Sequence, residues 1–188
     1  GGGVRMEMDW PASTTFPGYG LVRTRHDLDE LLARHAASRG ARLLERTNVQ
    51  APVLDERGHI CGVTAKVMGE DGRATGETRE FRAPVVVAAD GNSSRLSLAM
   101  DRPKRDDRPM GVAVRAYYET PRHDDDYLES WLELWTKSED GRNDVLMPGY
   151  GWLFPTGGGT MNVGLGILNT SEAFGTFDYR DVMRRWVA

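Results

Sequence analysis

"VVVAADGNSSRL", residues 85–96, carries the strongest fold signal in the chain. Five apolar residues, Val85 to Ala89, stop at Asp90-Gly91 and give way to small polar residues. An apolar run without alternation reads as a strand buried on both faces, as in a parallel α/β sheet. Ligands of such sheets collect beyond the carboxyl ends of the strands. Asp90 stands at that end, where a carboxylate can accept from a ribose hydroxyl or a backbone N–H. Gly91 lets the main chain come close to a ligand. Taken alone, an Asp-Gly pair is better read as a plain turn after a strand.

Working outward, residues 13–20, "STTFPGYG", read as a loop punctuated by Pro and Gly. A helix is predicted from Asp27. Leu28, Leu31, Leu32, His35 and Ala36 share one face, Asp27 and Asp29 sit in the first turn, and Gly40 supplies the stop. "ARLLERTNV" (41–49) and "HICGVTAKVM" (59–68) read as strands, with "ERGH" and "GEDGR" as turns. After the charged connection "DRPKRDDRP" (101–109), "GVAVRAYYET" alternates as a strand does. "YLESWLELW" (127–135) suits a helix or a strand, and its aromatics and its neighbours favour a strand. "YGWLFPT", the turn "GGG" and "TMNVGLGIL" make a β-hairpin, and "FDYRDVMRRWVA" closes the chain as a helix. The fold class is therefore α/β (α+β overall), with a boundary near residue 103. Residues 1–103 form an α/β part and residues 104–188 an antiparallel sheet with a closing helix.

Composition narrows the function. A 188-residue chain that is 39% apolar and 28% charged can bury a real core. The net charge of -4 is scattered without a basic stripe, which argues against nucleic acid as a partner. No run approaches the roughly 18–20 apolar residues of a membrane span. Cys61 is the single cysteine, so there is no disulfide framework, and the cytoplasm is the expected compartment. The chain opens on Gly1-Gly2-Gly3 without a Met, and its last helix lacks a stop signal. It is expected to be a segment of a longer protein.

Against that background, "ADGNSS" (89–94) resembles the aspartate-glycine fingerprint of flavin-dependent hydroxylases and reductases of the glutathione-reductase type. The resemblance implies that Asp90 and Gly91 lie beside FAD in a three-layer ββα-type FAD-binding domain. Ser94 matches the family Ser, whereas Ser97 stands where the family has an Arg. "LVRTRHDLDELL" (21–32) resembles the family segment in which an Arg precedes a Leu-Asp pair at a helix start. Arg25 is the matching Arg, implied to lie against the flavin nucleotide, with Leu28-Asp29 as the pair. Val49, at the end of the predicted strand, is implied to pair through its backbone with the adenine edge.

The most specific match is the hairpin. "YGWLFPTGGGTMNVGLG" (150–166) resembles the geranylgeranyl reductase signature through Tyr150, Trp152, Phe154 and Pro155, then Gly164 and Gly166. Alternation places Tyr150, Trp152 and Phe154 on one strand face, an apolar wall fit for a prenyl chain or for an aromatic core. The two glycines remove side chains where something passes close. The resemblance implies reduction of a C=C bond in a polyprenyl lipid or quinone tail. FAD would be the cofactor, with NAD(P)H or another donor supplying electrons, and the membrane surface is an implied place of contact. No residue stands out as a proton donor and no metal site is expected. "RHDDDY" (122–127) reads as a solvated charge run, and His26, His35 and His59 lack ligand spacing. An aromatic hydroxylase and a non-catalytic apolar-ligand module are the rival classes.

Overall fold

A computed structural model describes residues 3–102, 105, 107–138 and 142–188. The boundary expected at Pro103 lies outside the described residues. The chain forms two compact units, Leu32–Asp106 and Gly1–Leu31 with Asp107–Ala188. The architecture is mixed α/β with antiparallel sheets.

In the unit Leu32–Asp106, β1 (Thr47–Leu54), β2 (Ile60–Met68) and β3 (Ala74–Arg82) make an antiparallel meander. Its turns are written in the sequence. Asp55 accepts from the N–H groups of Arg57 (2.9 Å) and His59 (2.8 Å), and Gly58 takes the positive φ of +78° that closes the loop. The polar "ATGETREFR" of β3 lacks an apolar period, so its strand identity comes only from its register with β2. The short helix α2 (Arg95–Ala99) packs against β1 and buries Leu96.

Two sequence expectations fail in the first half of the chain. Val85–Ala89 is not a strand, and Val85 and Val87 are 75% and 77% exposed. A strand needs a ladder partner, and among the described residues none pairs with this run. Strand β1 also begins later than expected. Residues 41–46 are turn and coil, because Arg46 adopts φ 50° and cannot continue an extended run. Val49 therefore lies inside β1, opposite Ala65, and not at a strand end. Helix α1 (Arg25–Ser38) forms where predicted, and it buries no residue. Leu31 and Leu32 are 48% and 56% exposed. Its first turns are tied instead by the ion pairs Arg23–Asp27 and Arg25–Asp29 at i, i+4 spacing.

The second unit is built on a four-stranded sheet of β4 (Gly111–Glu119), β9 (Thr160–Leu168), β8 (Gly149–Pro155) and β5 (Glu129–Trp131), in that order. β6 (Leu134–Lys137) and β7 (Asp144–Met147) form a separate hairpin. The stretch 127–135 is thus strand in kind but broken, with exposed Leu132 at the break between β5 and β6. The predicted hairpin of β8 and β9 is present, with Gly157 and Gly159 at positive φ in its turn. Helix α3 (Tyr179–Val187) starts at Asp178, whose carboxylate accepts from the N–H groups of Arg180 (2.9 Å) and Asp181 (3.2 Å).

Helix α3 closes one face of this unit. Its Val182 and Met183 join Leu134, Met147 and Leu165 in the core. Burying a side chain such as Leu165 contributes about 1.5–3 kcal/mol. Gly151 makes room for α3, since a Cβ there would meet the Trp186 ring at 2.7 Å. Trp131 meets the same ring edge-on at 5.9 Å. With one face of the sheet committed to the core, residues two apart on each strand project from the opposite face.

Candidate functional site

Register sets the layout of that opposite face. Tyr150, Trp152 and Phe154 of β8 stand across from Gly166, Gly164 and Asn162 of β9, and these stand across from Ala113, Arg115 and Tyr117 of β4. The face therefore has an aromatic column, a central column of two glycines and Asn162, and a mixed column with a cation. The aromatics touch in series. Tyr150 and Trp152 are 5.7 Å apart, and Trp152 and Phe154 stack at 6.2 Å. Such pairs contribute about 0.5–1.5 kcal/mol beyond burial. Tyr150 remains 49% exposed, so the wall is open to a ligand. The sequence places these rings on one face, and the structure does the same.

The two signature glycines differ in role. A Cβ on Gly164 would sit 2.2 Å from Cζ2 of Trp152, so the indole lies directly over this position. The group passing close at Gly164 is the protein's own ring. At Gly166 a Cβ would meet Val112 O at 3.3 Å and Trp152 Cζ3 only at 3.8 Å, a much milder crowding. Pro155 is buried at the end of β8, where it lies across from Met161.

Sequence reasoning missed the polar groups of this face. Trp152 Nε1 donates to Asn162 Oδ1 at 3.1 Å, which fixes the indole's orientation. The Arg115 guanidinium lies 5.3 Å over the Tyr117 ring. Alternation along "VAVRAYYE" marks Ala113, Arg115 and Tyr117 as one face. Only the pairing of β4 with β9 shows that this face is shared with the aromatics.

Arg25, at the start of α1 in the same unit, donates from Nε and Nη2 to the two carboxylate oxygens of Asp29, each at 2.8 Å. That hydrogen bond and the attached charge raise the Arg25 pKa and lower that of Asp29. Tyr117 adds a weaker influence on Arg25. The guanidinium is exposed and held in one orientation.

In the other unit, Asp90 accepts from the Leu96 N–H at 3.3 Å. Its pKa is lowered, first by the hydrogen bond from Ser94 and then by backbone N–H groups including that of Leu96, against a partial opposing effect of desolvation. Ser97, which departs from the expected Arg, has a structural part here. Its N–H donates to Ser94 Oγ at 3.1 Å, and the two hydroxyls are 2.9 Å apart. Gly91 has φ +83°, and a Cβ there would meet nothing within 4 Å. Val49 shares this unit, and its carbonyl lies beside a β-bulge at Gln50.

The family profile described as FAD dependent oxidoreductase matches residues 4–186. The chain belongs to the FAD-dependent oxidoreductases. Among curated relatives it is 36% identical over 172 residues to the menaquinone reductase of Mycobacterium tuberculosis strain H37Rv, covering 92% of this chain and 38% of that protein. It is 32% identical to the menaquinone reductase of Mycolicibacterium smegmatis, with the same coverage. A digeranylgeranylglycerophospholipid reductase of Methanosarcina mazei is 30% identical over 184 residues, which is 96% of this chain and 39% of the relative. The chain thus spans well under half the length of these relatives. The resemblance to geranylgeranyl reductases agrees with them.

The residues present fit the cofactor of this family in chemical kind. Asp90 is an exposed carboxylate kept ionised below the usual range, with acceptor capacity beyond its bond to Leu96. Gly91 leaves open space at the main chain beside it. Arg25 offers an oriented guanidinium suited to an oxyanion, with Nη1 outside the bidentate pair with Asp29. Among the described residues no group of His, Cys, Asp and Glu has the geometry of a metal site.

Proposed function

We propose that this chain forms part of an FAD-dependent reductase that saturates C=C bonds in the polyprenyl chain of a quinone or lipid. The observation that carries the reading is the open sheet face whose Tyr150, Trp152 and Phe154 form a continuous aromatic column, opposite the face buried by α3. The names of the menaquinone and digeranylgeranylglycerophospholipid reductases support the substrate class. In this reading residues 1–103 serve cofactor binding and residues 104–188 serve substrate binding. Arg25, Val49, Asp90 and Gly91 contact the nucleotide. Tyr150, Trp152, Phe154, Pro155, Gly164 and Gly166 form the prenyl site.

Bound FAD, once reduced by NAD(P)H or another reductant, would supply a hydride to one carbon of the double bond, and a proton added to the other carbon would complete the saturation. The chain's own part is to orient the prenyl segment and to exclude water. An isolated alkene offers no polar handle, so positioning rests on aromatic contact. Among the described residues no helix is long and apolar enough to cross a membrane. A cytoplasmic protein that takes its lipid at the membrane surface is the arrangement we favour.

The test is anaerobic. Full-length protein carrying reduced FAD is mixed with menaquinone or a geranylgeranyl lipid, and flavin oxidation is followed with mass analysis of the product. A gain of two hydrogens in the chain supports the proposal. Turnover that requires oxygen and adds a hydroxyl to a ring overturns it in favour of an aromatic hydroxylase.

A further inference from the structure

We propose that Arg115 recognises the polar end of the substrate, gripping an acceptor oxygen at the head of the prenyl chain. This assignment rests on the prenyl-lipid reading of the site given above. Arg115, Gly164 and Trp152 lie in one row across β4, β9 and β8, on the face opposite the core. Adjacent strands are roughly 4.8 Å apart, so the Arg115 backbone stands about 10 Å from that of Trp152, and the indole, lying over Gly164, brings the aromatic wall toward the arginine. The neighbouring row is low, because Gly166 carries no side chain and Ala113 is small.

The charge around Arg115 points the same way. Arg115 is exposed, stacks on Tyr117, and makes no ion pair among the described residues. The other guanidinium near this corner, Arg25, lies within electrostatic range of Tyr117 but is already engaged by Asp29. Arg115 is thus a cation beside an aromatic wall with no carboxylate partner among the described residues. It can donate hydrogen bonds to an oxygen that an all-carbon chain lacks. The face then sorts an amphipathic ligand, with carbon on β8 and oxygen on β4. A quinone carbonyl and a phosphate oxygen are the two sources of that acceptor.

The experiment uses the full-length protein and three probes of matched chain length, with binding followed by tryptophan quenching. These are a prenylated naphthoquinone, a prenyl phosphate, and a prenyl hydrocarbon without a head group. Arg115→Ala is expected to weaken at least one headed probe on the order of tenfold or more and to leave the headless probe unchanged. Arg115→Lys should recover part of that loss, since it keeps the charge and loses the planar fork. Loss for the quinone alone assigns a carbonyl contact, and loss for the phosphate alone assigns a phosphate contact. Unchanged binding of both headed probes overturns the proposal. So does an equal loss for all three, which makes Arg115 part of the packing; circular dichroism on the same variant checks that it is folded. If the wild-type protein binds none of the three, the prenyl-lipid reading itself falls, and this assignment with it.

Discussion

Gly164→Ala tests directly whether the Trp152 indole rests on this glycine. Gly164 does not occupy a left-handed φ, so alanine is allowed by the backbone and the whole penalty is steric. The new Cβ would lie 2.2 Å from Trp152 Cζ2 and 2.6 Å from Cε2. Carbon atoms pack at about 3.5–4.0 Å, so the indole must retreat by roughly 1.3–1.8 Å. It is not free to do so at no cost. Its Nε1 is bonded to Asn162, and it is stacked on Phe154. Overpacking of this kind costs about 1–3 kcal/mol. The entropy removed from the unfolded chain returns about 0.4–1 kcal/mol. A net loss of about 1–2 kcal/mol is expected in urea unfolding of the full-length protein. Turnover should suffer more, because misplacing a contact surface by ~1 Å can cost on the order of a hundredfold.

The control is the pair. Trp152→Leu in the Gly164→Ala background removes the clash, so the double variant should be more stable than the sum of the singles by about 1 kcal/mol or more. Gly166→Ala should be the mild member, as its Cβ meets Trp152 only at 3.8 Å. A Gly164→Ala protein with the parent's unfolding midpoint and near-ultraviolet dichroism would refute the reasoning, since the indole would then not rest on this glycine.

Other outcomes are expected. Ser94→Ala should raise the Asp90 pKa toward the ordinary carboxylate value, read by carbon-13 NMR titration; an unmoved titration would remove Ser94 as the main cause. Because the folded pKa is depressed, Asp90 favours the folded state above its unfolded pKa, and that contribution is lost as pH falls through the folded value. Ser94→Ala should therefore flatten the acid limb of the stability profile below the usual carboxylate range. In the full-length protein, Arg25→Ala should weaken FAD on the order of tenfold by equilibrium dialysis, and Asp29→Asn by less, since it loosens the orientation of Arg25 but leaves its charge. Trp152→Phe should keep most turnover where Trp152→Ala loses it with FAD content intact; normal turnover by folded Trp152→Ala protein would move the prenyl site elsewhere. Asp178→Ala should cost about 0.5–2 kcal/mol in urea unfolding through loss of the α3 cap.

Much of the architecture is written in local pattern. The Asp55–Gly58 turn, the alternation in β4, β8 and β9, and the helical period around Val182 and Met183 each arise from interactions a few residues apart, so they are legible without tertiary information. The one-sided column of Tyr150, Trp152 and Phe154 follows from the strand period alone. Apolarity misled at Val85–Ala89, because burial is a property of what lies opposite and the residues themselves do not specify it. Strand identity at β3 was hidden for the converse reason, as its polar sequence is a strand only through β2. The same limit applies at the site. That Trp152 rests on Gly164, that Asn162 holds its nitrogen, and that Arg115 shares its row are matters of register between strands up to about 50 residues apart in sequence. A one-residue slip in either pairing would send the glycine and the arginine to the other face, and only the folded ladder decides against it.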